Sequence, residues 1–102
     1  MSTSSPSSVF GRRLKAARLE AGIPQDRLGV MVGLDEGTAS ARMSRYETGV
    51  HEPPYKTVED IASVLGLPTA YFYCDDDDLA VVIKYWARLS KADRSVILER
   101  IK

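Results

Sequence analysis

Gly11-Arg-Arg-Leu-Lys-Ala-Ala-Arg18, then Gly22-Ile-Pro-Gln25 with Leu28, then Met43-Ser-Arg-Tyr-Glu47-Thr-Gly49 are the three stretches whose reading decides the fold. Around the first, Phe10, Leu14, Ala17 and Ala21 recur at helical spacing while Arg12, Arg13, Lys15 and Glu20 fall mostly elsewhere. That pattern makes one helix with an apolar face, and Gly22 supplies its stop. Pro24 sits where a first helical turn tolerates proline, and Gln25, Asp26, Leu28 and Val32 describe a short second helix closed by Gly33. Two helices joined by a tight glycine-containing turn invite a third. There Ala39, Met43 and Tyr46 share one face as far as Gly49, with Asp35 placed to cap the run. Ser40, Ala41, Ser44 and Arg45 then lie on its outer side.

Outward from this core the chain continues in the same manner. Residues 1–8, Met-Ser-Thr-Ser-Ser-Pro-Ser-Ser, have nothing to bury and read as a disordered tail until Ser7 or Ser8 caps the first helix. Beyond Pro53-Pro54, Thr57 is the expected cap of a helix whose stripe is Val58, Ile61, Ala62 and Leu65, stopped by Gly66. Pro68 and Thr69 begin a short aromatic turn to Tyr73. Asp75 to Asp78 open an apolar helix from Leu79 to Leu89, and carboxylates in a first turn favour the positive end of the dipole. Ser90 with Asp93 resembles a short-armed capping box for a last helix holding Val96, Ile97, Leu98 and Ile101. Alternating strand patterns are absent, so the expected class is all-α. Residues 9–74 are read as a five-helix domain and residues 75–102 as a two-helix extension.

Composition narrows the functions. A chain of 102 residues suits about one domain. Fourteen Lys and Arg balance fourteen Asp and Glu, so no uniform basic field exists and any anion must be met by a local arrangement. Between residues 8 and 50 the basic excess is modest, seven against five. Cys74 and His51 are single, which excludes an internal disulfide, a Cys/His zinc site and a redox pair, and fits a reducing cytoplasm. No apolar run approaches the roughly 20 residues of a membrane span, and the polar start lacks the parts of a signal peptide. With no glycine-rich phosphate loop and no metal-ligand spacing, the chain offers nothing to activate a nucleophile. It is not expected to be an enzyme or to carry a cofactor. The four aspartates are read as helix capping rather than as a calcium loop.

The segment from Phe10 to Gly49, continued through Val58 to Tyr73, resembles the helix-turn-helix domain of the lambda-repressor-like family, the Cro and XRE-type bacterial transcription regulators. The resemblance implies that Gln25 binds a phosphate and steadies a reading helix, on which Ser40, Ala41 and Arg45 occupy base-reading positions. It also implies a buried or half-buried salt bridge between Arg18 and Glu47, tying the first helix to the end of the third. Physics supports the same helix independently. A major groove about 12 Å wide admits one α-helix with a polar front of short side chains and an anchored back. A helix around residues 36–47 has that form, with Ser40, Ala41, Arg42, Ser44 and Arg45 in front. Arg45 is the best candidate for a base contact, since a guanidinium can bond both acceptors of a guanine edge.

One departure from the family pattern matters. Between Leu34 and Met43 stand eight residues where the pattern has four, making Asp35-Glu36-Gly37-Thr38 an insertion. Four residues are close to one turn of about 3.6, so the helix could lengthen and bring Thr38, together with Asp35 and Glu36, toward DNA. The alternative is a longer turn.

Elsewhere the ordinary reading prevails. Arg12, Arg13, Lys15, His51 and Lys56 are read as solvated surface, and Tyr71, Phe72, Tyr73 and Trp86 as packing rather than a base-stacking platform. In the extension, Leu79, Val82, Ile83, Trp86 and Leu89 form one stripe with Val81 and Tyr85 beside it, more apolar surface than an edge helix needs. A second copy is its expected cover, because a two-fold dimer places two reading helices in successive major grooves about 34 Å apart. The expected function is therefore a cytoplasmic, homodimeric, sequence-specific regulator of transcription that binds double-stranded DNA, as a repressor. The rival is an antitoxin-like or adaptor protein whose C-terminal helices bind a different protein.

Overall fold

In the computed structural model, residues 8–102 are described, and the order of elements is α1 (Val9–Ala21), α2 (Gln25–Met31), α3 (Ala39–Thr48), α4 (Tyr55–Leu65), a 3-10 turn (Thr69–Tyr73), α5 (Asp77–Trp86) and α6 (Lys91–Ile101). No strand occurs among the described residues. The expected disordered tail lies, Ser8 apart, outside them.

Local chemistry sets most of the boundaries. Ser8 Oγ accepts a hydrogen bond from the Gly11 amide at 2.9 Å and caps α1, which ends where Gly22 adopts φ 71°. Asp76 Oδ1 accepts from the Leu79 amide at 3.0 Å and opens α5, and Ser90 Oγ does the same for Asp93 in α6. The inner faces of α1 to α4 and the 3-10 turn then close on one core, with Leu14, Leu28, Met43, Val58, Ile61 and Phe72 fully buried. Each such side chain contributes roughly 1.5–3 kcal/mol relative to exposure.

Four boundaries differ from the sequence reading, each for a local reason. Helix α2 ends at Met31, with Val32 and not Gly33 as its C-cap, and the connection to α3 runs over residues 32–38. The four inserted residues are absorbed in that turn and the third helix is not lengthened: it begins at Ala39, not near residue 36. Gly37 is a poor helix continuation, and the Asp35 carbonyl closes a turn by accepting from the Thr38 amide at 3.0 Å. Thr38, not Asp35, is the N-cap. Helix α4 starts at Tyr55, two residues before Thr57, because Pro54 at φ −59° and ψ 153° leads directly into the first turn. Helix α5 stops at Trp86 rather than Leu89, where the Arg94 guanidinium donates to the carbonyls of Trp86 (3.0 Å) and Ala87 (3.2 Å).

Two glycines inside helices bring backbones together. A Cβ on Gly11 of α1 would stand 2.3 Å from the Glu47 carbonyl oxygen at the end of α3, and one on Gly29 of α2 would stand 2.7 Å from the Ala39 Cβ at its start. Only a missing side chain permits either approach. Helix α3 is thereby gripped at both ends.

Candidate nucleic-acid interface

The back of α3 is fixed before its front can do anything. Ala39, Met43 and Tyr46 are buried in the core, and Glu47 is buried beyond them. Arg18 reaches Glu47 from α1, its Nε donating to Oε2 at 2.5 Å and its Nη2 to Oε1 at 3.2 Å. Its Nη1 donates to the Ile23 carbonyl at 3.0 Å, which leaves the guanidinium well satisfied. Gln25, at the first position of α2, donates from Nε2 to Glu47 Oε1 at 3.0 Å. One carboxylate therefore holds α1, α2 and α3 together. An orphaned charge in this place would be costly, and a paired, hydrogen-bonded one is tolerated.

The front is polar and open. Ser40, Ala41, Arg42 and Arg45 are exposed on α3 and Ser44 is half-buried among them. Arg42 lies back along the helix, Nη2 being 3.4 Å from the Tyr46 hydroxyl, while Arg45 is exposed and has no ion-pair partner among the described residues. Thr38 is exposed but sits at the lip of the helix, in the turn, with Oγ1 3.5 Å from the Asp35 carbonyl. Of the residues named from sequence, Ser40, Ala41, Arg42, Ser44 and Arg45 share one element, and Gln25 joins them through Glu47. Thr38 stands at the helix entrance. Glu36 lines a shallow cleft with Asp26, Arg27, Val30 and Met31, which puts this acid along the flank of α2.

Other charges have partners that the sequence reading did not give them. Arg13 is not a solvated cation: it is buried, donating to the Cys74 carbonyl at 2.8 Å and to Asp77 Oδ1 at 2.9 Å, with its guanidinium 5.9 Å from the Tyr71 ring centre. Lys56 bonds Asp60 at 3.0 Å, and that bond raises its pKa. Lys84 bonds Glu20 at 2.7 Å, which lowers the pKa of the Glu20 carboxyl. Burial, then the charges of Tyr55 and Glu52, push the Tyr73 phenol up. Arg13–Asp77 and Glu20–Lys84 both bind α5 to α1.

The apolar stripe of the extension divides. Ile83 packs toward the core beside buried Ala80, so it does not share an open face with the others. Leu79 and Val82 are exposed, and Trp86 and Leu89 are half-buried. Ala80 is the inward position, and its small side chain gave no apolar signal. The close approach of Gly29 to Ala39 was also missed, although Ala39 itself was placed on the inner face. A glycine interrupting the helical run after Gln25 is the cue that could have found it.

Among the described residues no group of three His, Cys, Asp or Glu is placed to hold a metal ion, and no helix is long and apolar enough to cross a membrane.

The profile of the helix-turn-helix domain matches residues 9–71, which takes in the whole of the gripped helix and its clamp. The chain belongs to the helix-turn-helix family. A lambda-repressor-like, XRE-type regulator fits this match, as the sequence reading expected. Among solved structures, the crystal structure of transcriptional regulator BswR superimposes with a TM-score of 0.85 at 45% sequence identity, covering 89% of this chain and 90% of that one. The likeness therefore runs past the helix-turn-helix into the C-terminal helices. Comparison with curated proteins gives no match.

Proposed function

We propose that this helix-turn-helix protein is a sequence-specific DNA-binding transcription regulator of the cytoplasm, acting as a repressor by occupying its operator. The observation that carries the reading is the two-sidedness of α3: Ser40, Ala41, Arg42 and Arg45 stand exposed on a helix whose Ala39, Met43, Tyr46 and Glu47 are buried. Small side chains let such a helix sit deep in a major groove. Arg45 takes the base contact, bidentate to guanine, with Ser40, Ala41 and Ser44 beside it, and Arg42 serves the adjoining backbone. Gln25, already directed by Glu47, has a second amide hydrogen for a phosphate, and Thr38 offers a hydroxyl from the turn.

In this reading residues 9–74 bind DNA and residues 75–102 hold two copies together on an imperfect palindrome. No catalytic role is assigned. The solved relative described as a transcriptional regulator supports the regulatory assignment. The exposed apolar side chains of α5 and α6 keep one alternative open, in which the extension binds a different protein as an antitoxin or adaptor does. Unbiased selection of bound sequences from random duplexes, followed by affinity at two salt concentrations, tests the main reading. Enrichment of one palindromic motif supports it; uniform, salt-labile binding of all duplexes sinks it.

A further inference from the structure

Helix α6 buries none of its residues. A helix of 11 residues with so little packing is marginal in water, because surface helices owe most of their stability to a buried face. What fastens α6 to its own chain is narrow. Arg94 bonds the carbonyls of Trp86 and Ala87 and stacks 5.5 Å from the Trp86 ring centre, and Ile97 lines an open groove of about 320 Å³ with Val81, Val82, Tyr85, Trp86 and Leu89. Outside that groove Val96 is 62% exposed and Ile101 75%, and Val82 of α5, on the wall of the groove, is 53% exposed.

The charges along α6 say what covers this face. Asp93, Val96, Ile97 and Arg100 are spaced i, i+3, i+4 and i+7, which sets them in one row along one side of the helix. Read backwards, the row has the same shape with its charges exchanged: acid, apolar, apolar, base against base, apolar, apolar, acid. Laid antiparallel on an identical row, each Asp93 meets an Arg100 and each Val96 meets an Ile97. Laid parallel, like charges coincide. Among the described residues neither Asp93 nor Arg100 has an ion-pair partner.

We propose that a second copy of this chain docks on the α5–α6 face, with the two α6 helices antiparallel about a two-fold axis passing between Val96 and Ile97. Asp93 of each copy pairs with Arg100 of the other. The inference rests on the homodimer reading above and adds to it the α6–α6 contact, its orientation and its register. In an isologous contact every interaction occurs twice, so one altered charge acts at two places. The same two charges also suit an isolated helix, since an acid in the first turn and a base in the last favour its dipole. Exchanging them separates the two accounts.

The experiment uses the full chain, with dimer dissociation followed by sedimentation equilibrium and helix content by circular dichroism. D93R and R100D should each raise the dissociation constant at least tenfold, and the double variant D93R/R100D should return to within about threefold of the wild type. V96E, which places carboxylates at the axis, should give monomer with α1 to α4 intact. A double variant weaker than either single one overturns the proposal, because that is the order the dipole alone dictates. Wild-type dimers that V96E and D93R leave unchanged overturn this surface while the homodimer reading stands. A wild-type chain monomeric at every concentration overturns both.

Discussion

Glu47 near the end of α3 and Arg18 in α1 form a buried, two-point ion pair, the guanidinium meeting both carboxylate oxygens and the Ile23 carbonyl besides. With side chains only 9% and 3% exposed, the two charges depend on each other. Arg18→Ala should therefore lower stability by about 3–5 kcal/mol, because it strands a buried carboxylate. Urea denaturation checks this. Sequence preference measured on the folded fraction should stay as in the wild type, and a stable Arg18→Ala protein with altered operator choice would contradict the structural role.

Gly11 and Gly29 should tolerate no side chain. In Gly11→Ala the new Cβ meets a backbone carbonyl oxygen that cannot rotate away, so α1 and α3 must separate, at a cost of about 1–3 kcal/mol or more. Gly37→Ala is the control: nothing lies within 4 Å of its Cβ position and its φ is not positive. There the loss of unfolded-chain freedom should leave stability equal or raise it by up to about 1 kcal/mol. Denaturation midpoints of the three variants give the comparison.

Arg45 and Gln25 should fail differently in DNA binding. Arg45→Ala should relax preference at one base position by about 1–3 kcal/mol. Gln25→Ala should weaken all sequences alike, since phosphate contacts carry no sequence information, and should also cost about 1 kcal/mol of stability by releasing its bond to Glu47. Affinities across a panel of single-base operator variants check both. Equal profiles from the two substitutions would refute the division of roles.

The Glu20–Lys84 pair predicts an acid-sensitive attachment of α5. Its hydrogen bond holds the Glu20 carboxyl below its usual value of 4.5 in the folded chain, so the folded state binds this proton less readily than the unfolded one. The pair's contribution is present above the ordinary carboxylate value and is lost as pH falls through the lowered one. The Glu20 carboxyl is exposed, so the effect should be small and weakened by salt. Stability of wild type and Glu20→Gln measured from pH 3 to 7 should converge at the acid end and diverge above it.

Features written locally were legible in the sequence, and features depending on distant partners were not. Ser8, Gly22, Ser90 and Gly66 act on their own turns, so their roles as caps and stops follow from residue type and position. The length of α3 was ambiguous for a physical reason: four residues nearly complete one turn, so a longer helix and a longer loop preserve the same inward face. Arg13 was misread because its partner Asp77 lies 64 residues away. The exposed face of α3 was legible because helical spacing separates Ser40, Ala41, Arg42 and Arg45 from the inward Ala39, Met43 and Tyr46. Ile83 was misassigned because apolar spacing does not say which side of a stripe meets the body and which stays outside.

The contact of Gly29 on Ala39 holds the third helix at its entrance regardless of the chain between them. Residues 32–38 can therefore change in length or charge without displacing the surface proposed to read DNA. A connector so decoupled is an adjustable part: its acidity can moderate attraction to the phosphodiester backbone while the choice of bases is left to another element. Related proteins could diverge in grip at this loop and in vocabulary at the helix, each independently of the other.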